Sequence, residues 1–67
     1  MNYKKLYNKF CNYYKKLGRS YNDPRFTVHH ILCRSMGGLD TDENKVAMTP
    51  KEHYIAHRIL AHVYKKR

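Results

Sequence analysis

The chain has 67 residues, with fourteen Lys and Arg against five Asp and Glu, a formal charge of +9, and 42% hydrophobic residues that include seven Tyr and no Trp. So short a chain makes one domain that buries only about 60% of the surface it exposes when unfolded, so a bound metal ion would help to hold it together. No stretch reads as a secretory signal or a membrane span, and Cys11 and Cys33 make no CxxC pair, so a Cys-based zinc knuckle is excluded and two reduced cysteines in a cytoplasm are expected.

Charge is concentrated at the start. Residues 1–25 carry five Lys and two Arg against Asp23 alone, a net +6, whereas residues 26–67 carry +3. Such a density favours polyanions through counterion release, with an affinity that falls steeply with salt. Nucleic acid is the economical partner, although ribosomal RNA, an anionic lipid surface or an acidic protein would satisfy the same electrostatics. Within this arm Tyr3, Leu6, Tyr7, Phe10, Tyr13, Tyr14 and Leu17 recur at three- and four-residue intervals, which predicts an amphipathic helix ending at Gly18. The stripe is expected to be core. Lys4, Lys5, Lys9, Lys15 and Lys16 cover the remaining surface and, with Arg19, are the candidates for phosphate contact; a solvated face accounts for them equally well.

Asn22-Asp23-Pro24 marks a turn that separates residues 1–25, a basic helical arm and linker, from residues 26–67. Phe26 to Leu32 is rich in aromatic and β-branched residues and reads as a strand carrying His29-His30. Met36-Gly37-Gly38 supplies a turn, and Lys45-Val46-Ala47-Met48 can pair back as a second strand. Neighbours on a regular strand point to opposite faces, so His29 and His30 share a site only if the strand ends, twists or bulges there. Asp40, Asp42 and Asn44 have the alternation of a calcium loop, but Lys45 and Lys51 replace its Gly and Glu, so these acids read as a solvated loop.

Thr49-Pro50-Lys51-Glu52 has the order of a helix start, with Thr as N-cap, Pro at the first helical position and Glu closing a capping box. His53 and His57 follow four residues apart on one face, a spacing that suits two imidazoles on a single metal ion. His62 lies about half a turn round from His53 and is left out of that face. Ile55, Ile59 and Val63 form a separate stripe expected to meet the core, while Arg58 and Lys65-Lys66-Arg67 are expected on the surface.

Taken together, His29-His30-Ile31, Gly37-Gly38, Glu43-Asn44, Met48-Thr49, Glu52-His53 and His57 resemble the ββα-metal motif of HNH endonucleases, most closely the small bacteriophage HNH and homing endonucleases. The fold class this implies is α+β: an N-terminal basic amphipathic helix, then a two-stranded antiparallel hairpin and a C-terminal helix, in one compact domain. The aromatic stripe would pack on the sheet face opposite the metal. The resemblance assigns His29, His53 and His57 as ligands of one divalent ion, His30 as general base, and Asn44 as the residue that holds the histidine strand end in place. Three imidazoles favour Zn²⁺, Ni²⁺ or another transition metal such as Mn²⁺ over Mg²⁺ in affinity, while availability also decides the ion used, so the metal identity stays open. Arg34, just beyond the histidines, could clamp a phosphate, and an exposed Arg without a catalytic role fits as well.

What the resemblance implies is a metal-dependent endonuclease or nickase that hydrolyses DNA phosphodiester bonds to a 5′ phosphate and a 3′ hydroxyl, inside a bacterial host cell. Thr27 stands where many phage relatives have an acidic residue, Cys33 where they have proline, and the chain stops at Arg67 where homing relatives continue into a DNA-recognition region, so low sequence specificity is expected. It would act alone, as a homodimer, or with a host or phage nucleoprotein complex. The alternatives are a catalytically silent HNH-like binding module and a purely structural zinc domain. An intact set of four histidines favours catalysis, since a binding module has no need of the base.

Overall fold

The computed structural model describes residues 1–65, so the surface placement expected of Lys66 and Arg67 lies outside the described residues. Helix α1 spans Tyr3–Lys15, strand β1 Thr27–His30, strand β2 Lys45–Met48 and helix α2 Pro50–Val63. The fold is α+β, and β1, β2 and α2 have the ββα layout. Among the described residues no helix is long and apolar enough to cross a membrane.

Local chemistry sets the helix ends. Asn2 caps α1 by accepting a hydrogen bond from the Lys5 amide at 3.0 Å, and the chain leaves the helix through Gly18, whose φ of +65° suits a residue without a Cβ. At α2 both halves of the capping box form: the Glu52 amide donates to Thr49 Oγ1 at 3.2 Å and the Thr49 amide to Glu52 Oε1 at 3.0 Å.

Strands β1 and β2 pair antiparallel without a bulge, Thr27 opposite Met48, Val28 opposite Ala47, His29 opposite Val46 and His30 opposite Lys45. Regular pairing is shorter than the Phe26–Leu32 run because Asn44 takes over from the second strand. The Ile31 amide donates to the Asn44 carbonyl at 2.8 Å, the Leu32 amide to Asn44 Oδ1 at 2.8 Å, and Asn44 Nδ2 to the Leu32 and Leu39 carbonyls at 3.0 and 2.7 Å. A side chain thus completes the ladder where the backbone turns away. At Gly38 a Cβ would collide with that same Leu32 carbonyl, so only glycine lets the loop close on the strand end.

Both helices pack on one face of the hairpin. Tyr7 and Cys11 from α1, Val46 and Met48 from β2, and Ala56 and Leu60 from α2 form the buried core, with Phe10, Tyr14, Ile31, Ile59 and Val63 against it. This corrects the expected position of the aromatic stripe: Val46 is paired with His29, so α1 covers the same sheet face that carries His29. The buried line of α1 is also narrower than the stripe, because Leu6, Tyr13 and Leu17 are exposed and Cys11 is buried in their place. On α2 the buried line runs through Ala56 and Leu60, and Ile55 is half-buried beside it.

Two basic residues of the arm are tied into this core. Arg19 donates to Glu52 Oε1 and Oε2 at 2.5 and 3.3 Å and to the Ala47 carbonyl at 3.3 Å, with its guanidinium over the Tyr14 and Phe26 rings at 5.1 and 4.6 Å. Lys15 Nζ donates to the Lys45 carbonyl at 2.8 Å and to the Asp42 carbonyl. Both differ from the expected phosphate-contacting face, because their charges already have intramolecular partners. Arg19→Ala is expected to lower stability by about 1.5–3 kcal/mol, the range for hydrogen bonds to charged groups. Thermal denaturation checks this, and an unchanged midpoint would return Arg19 to the solvated basic face.

Candidate metal centre

His29 comes from the end of β1, His53 and His57 from the first turns of α2, and the packing of that helix across the hairpin brings them together. One nitrogen from each imidazole lies within 4.8 Å of one from each of the other two, and the ring centroids are 5.0, 5.1 and 4.8 Å apart. With His30, Cys33, Arg34, Val28 and Leu60 they line a cavity of about 330 Å³. The adjacent histidines share it because β1 ends at His30 and the chain bends at Ile31-Leu32.

Burial grades the cluster from inside to out. His29 is 1% exposed, His53 half-buried and His57 exposed. Burial, reinforced by the neighbouring His53, His57 and His30, pulls the pKa of His29 down from 6.5 to about 4, and burial followed by His57 lowers that of His53. Both rings are held neutral at physiological pH, the form that binds a cation.

Among the described residues, the hydrogen bonds leave one buried side-chain nitrogen without a partner. His29 Nε2 lies 2.7 Å from Tyr7 Oη, while His29 Nδ1 is buried with no hydrogen-bond partner. An orphaned buried imidazole nitrogen costs free energy, and a cation shared with His53 and His57 is the partner that the neighbouring donors can hold. Three imidazoles are a complete protein ligand set for a transition-metal ion that keeps an open position. The residues present fit the group.

His30 is set apart from the three. It is half-buried, and its Nε2 lies 2.9 Å from Asp40 Oδ1. The His30 hydrogen bond, and then Lys45, hold the Asp40 carboxyl below its ordinary range, so Asp40 is ionised and accepts the Nε2 hydrogen. Nδ1 of a neutral His30 is then left as the proton acceptor. Asp40 is the exposed loop acid expected, and its contact with His30 is an addition: ten residues after His30 the Gly37-Gly38 turn has folded it back onto the ring. No periodicity marks such a contact; only the reversal of the chain at the two glycines could have suggested it.

The remaining candidates lie around this centre. Asn44 holds the strand end as described above. Arg34 is exposed at the mouth of the cavity, in the single helical turn Arg34–Met36. Lys4, Lys5 and Lys9, with Asn2, Asn8 and Asn12, line an open groove along α1, and Lys16 is exposed at its end. His62 is not in the cluster and stacks on Tyr3 at 4.5 Å.

The depressed pKa of His29 fixes a sign. Between pH 6.5 and 4 the unfolded chain binds a proton at His29 that the native chain refuses, so its contribution to stability is full above pH 6.5 and lost as pH falls towards 4. Urea unfolding of the metal-free protein should show a loss of up to about 1.4 kcal/mol per pH unit in that window. A flat profile there would contradict a neutral, buried His29.

No family model matches the chain, and no solved structure matches it. Among the proteins it is similar to are several of Enterobacteria phage T4. Probable mobile endonuclease E is 42% identical over 64 residues, covering 96% of this chain and 44% of that protein. Probable mobile endonuclease C is 41% identical over 69 residues, covering 96% and 31%, and probable mobile endonuclease B is 39% identical over 69 residues, covering 97% and 25%. The chain spans less than half the length of these relatives. Over almost all of its residues it is related to phage proteins named mobile endonucleases.

Proposed function

We propose that the chain is an HNH-type, single-metal endonuclease or nickase that hydrolyses DNA phosphodiester bonds. One observation carries the reading: three imidazoles from two elements converge at the edge of a cavity that a fourth, carboxylate-bound imidazole also lines. A structural zinc domain has no use for the fourth. The names of the T4 relatives support a nuclease, and DNA as its substrate.

His29, His53 and His57 would hold the ion, which when bound supplies Lewis acidity towards a phosphate oxygen and the departing 3′ oxygen. His30 takes a proton from the attacking water at Nδ1, with Asp40 fixing the ring through Nε2. Asn44 keeps His29 and His30 at the cavity by holding the chain just beyond them. Arg34 is placed to meet a phosphate at the mouth, and Lys4, Lys5, Lys9 and Lys16 offer the uncommitted basic surface along α1. The three-imidazole set favours Zn²⁺ or Ni²⁺ over Mg²⁺ or Mn²⁺ in affinity.

The test is nicking of supercoiled plasmid with each of these ions, across a range of salt. Wild type is expected to nick with at least one ion, and His30→Ala to lose about a hundred- to ten-thousand-fold in rate while still binding metal. Plasmid binding without nicking under every ion would instead establish a catalytically silent nucleic-acid-binding module.

A further inference from the structure

We propose that the hydroxyls of Tyr7 and Thr27 are positioning residues of the metal centre, each holding one ligand imidazole in the tautomer whose unprotonated nitrogen faces the cluster. The inference rests on the metal-binding reading above and extends the site to two hydroxyls, one of them at the position where many phage relatives have an acidic residue.

A neutral imidazole has one N–H and one lone pair, and only the lone pair can bind a cation. Which nitrogen is free is set by what the other one donates to. Tyr7 Oη is 2.7 Å from the Ile31 carbonyl oxygen and 2.7 Å from His29 Nε2. The carbonyl brings no hydrogen, so the single phenolic hydrogen lies between Tyr7 and Ile31. Towards His29, the Tyr7 oxygen can therefore only accept. Nε2 carries the ring hydrogen, and the free lone pair falls on Nδ1, the buried atom left without a partner.

Thr27 repeats the device on the other element. Its Oγ1 donates to the Met48 carbonyl at 3.0 Å and lies 2.8 Å from His53 Nδ1. By the same count of hydrogens Nδ1 of His53 is the donor, and its Nε2 is left for the ion. The two ligands thus present opposite nitrogens, His29 through Nδ1 and His53 through Nε2. Both anchoring carbonyls belong to the hairpin, Ile31 directly after β1 and Met48 at the end of β2. The tautomers are therefore fixed only once the hairpin has paired and both helices have docked, and Tyr7 makes α1 part of the centre.

Two-bond ¹H–¹⁵N correlation spectra of histidine-labelled, metal-free protein report which nitrogen carries the hydrogen, and competition with a chromophoric chelator gives the Zn²⁺ affinity. In wild type we expect one tautomer at each site, Nε2–H at His29 and Nδ1–H at His53. Tyr7→Phe should mix the tautomers of His29 alone and Thr27→Val those of His53 alone, each weakening Zn²⁺ binding about ten- to a hundred-fold, the range for loss of a ligand's outer partner. Thr27→Ser keeps the hydroxyl and should restore both readouts. Should Tyr7→Phe fail to fold, the wild-type tautomers and the Thr27 pair decide. Unchanged tautomers and affinity in the variants, with wild type binding Zn²⁺ normally, overturn the assignment and leave the nuclease reading standing. A wild type that binds no Zn²⁺ overturns the metal reading, and the assignment falls with it.

Discussion

The structure turns on one crowded meeting point, where a buried imidazole from the hairpin faces two imidazoles from the helix above it. Without a cation this arrangement is costly. His29 has lost its water, its Nδ1 has no partner, and its pKa has been driven down to about 4, so it cannot be relieved by protonation at neutral pH. A shared cation would remove the orphaned lone pair and offset the desolvation at once. In so small a chain the same ligation would also link β1 to α2, where the apolar core has little area to spare.

That constraint explains how the rest of the chain is used. The core is a thin layer in which α1 and α2 lie on one face of a two-stranded sheet, and the site opens at its edge. The basic arm is accordingly no appendage. Tyr7 reaches His29, Lys15 ties α1 to the carbonyls of Asp42 and Lys45, and Arg19 clamps the Glu52 of the capping box that starts the ligand helix. Some of the charge that suggests a polyanion partner thus serves the fold. The lysines of the outer α1 surface, with Arg34 at the cavity mouth, remain available for the long-range attraction of a polyanion that the proposed function requires.

The α2 start was legible because its signals are local: Thr49, Pro50 and Glu52 act within one turn, and the His53–His57 spacing follows from helical geometry. Asn44 was legible only through its resemblance to a family position. The placement of α1 was not, since a stripe of Tyr and Leu shows that a helix has an apolar face but not which sheet face it meets. Contacts that depend on chain reversal were equally hidden. Asp40 on His30 requires the Gly37-Gly38 turn, and Tyr7 on His29 joins residues 22 positions apart. Thr27 stood out only as a departure from the acidic residue of the resembled family, and nothing in the sequence pointed to its contact with His53 Nδ1 at 2.8 Å.

The most direct measurement of the central claim is a titration of the metal-free protein with Co²⁺, followed by visible absorption. Convergence of His29, His53 and His57 on one ion predicts saturation at one equivalent per chain, with the intense ligand-field bands of a low-coordinate nitrogen site. His57→Ala should weaken those bands. A titration without such bands, or the same bands in His57→Ala, would contradict a shared centre between the hairpin and the helix.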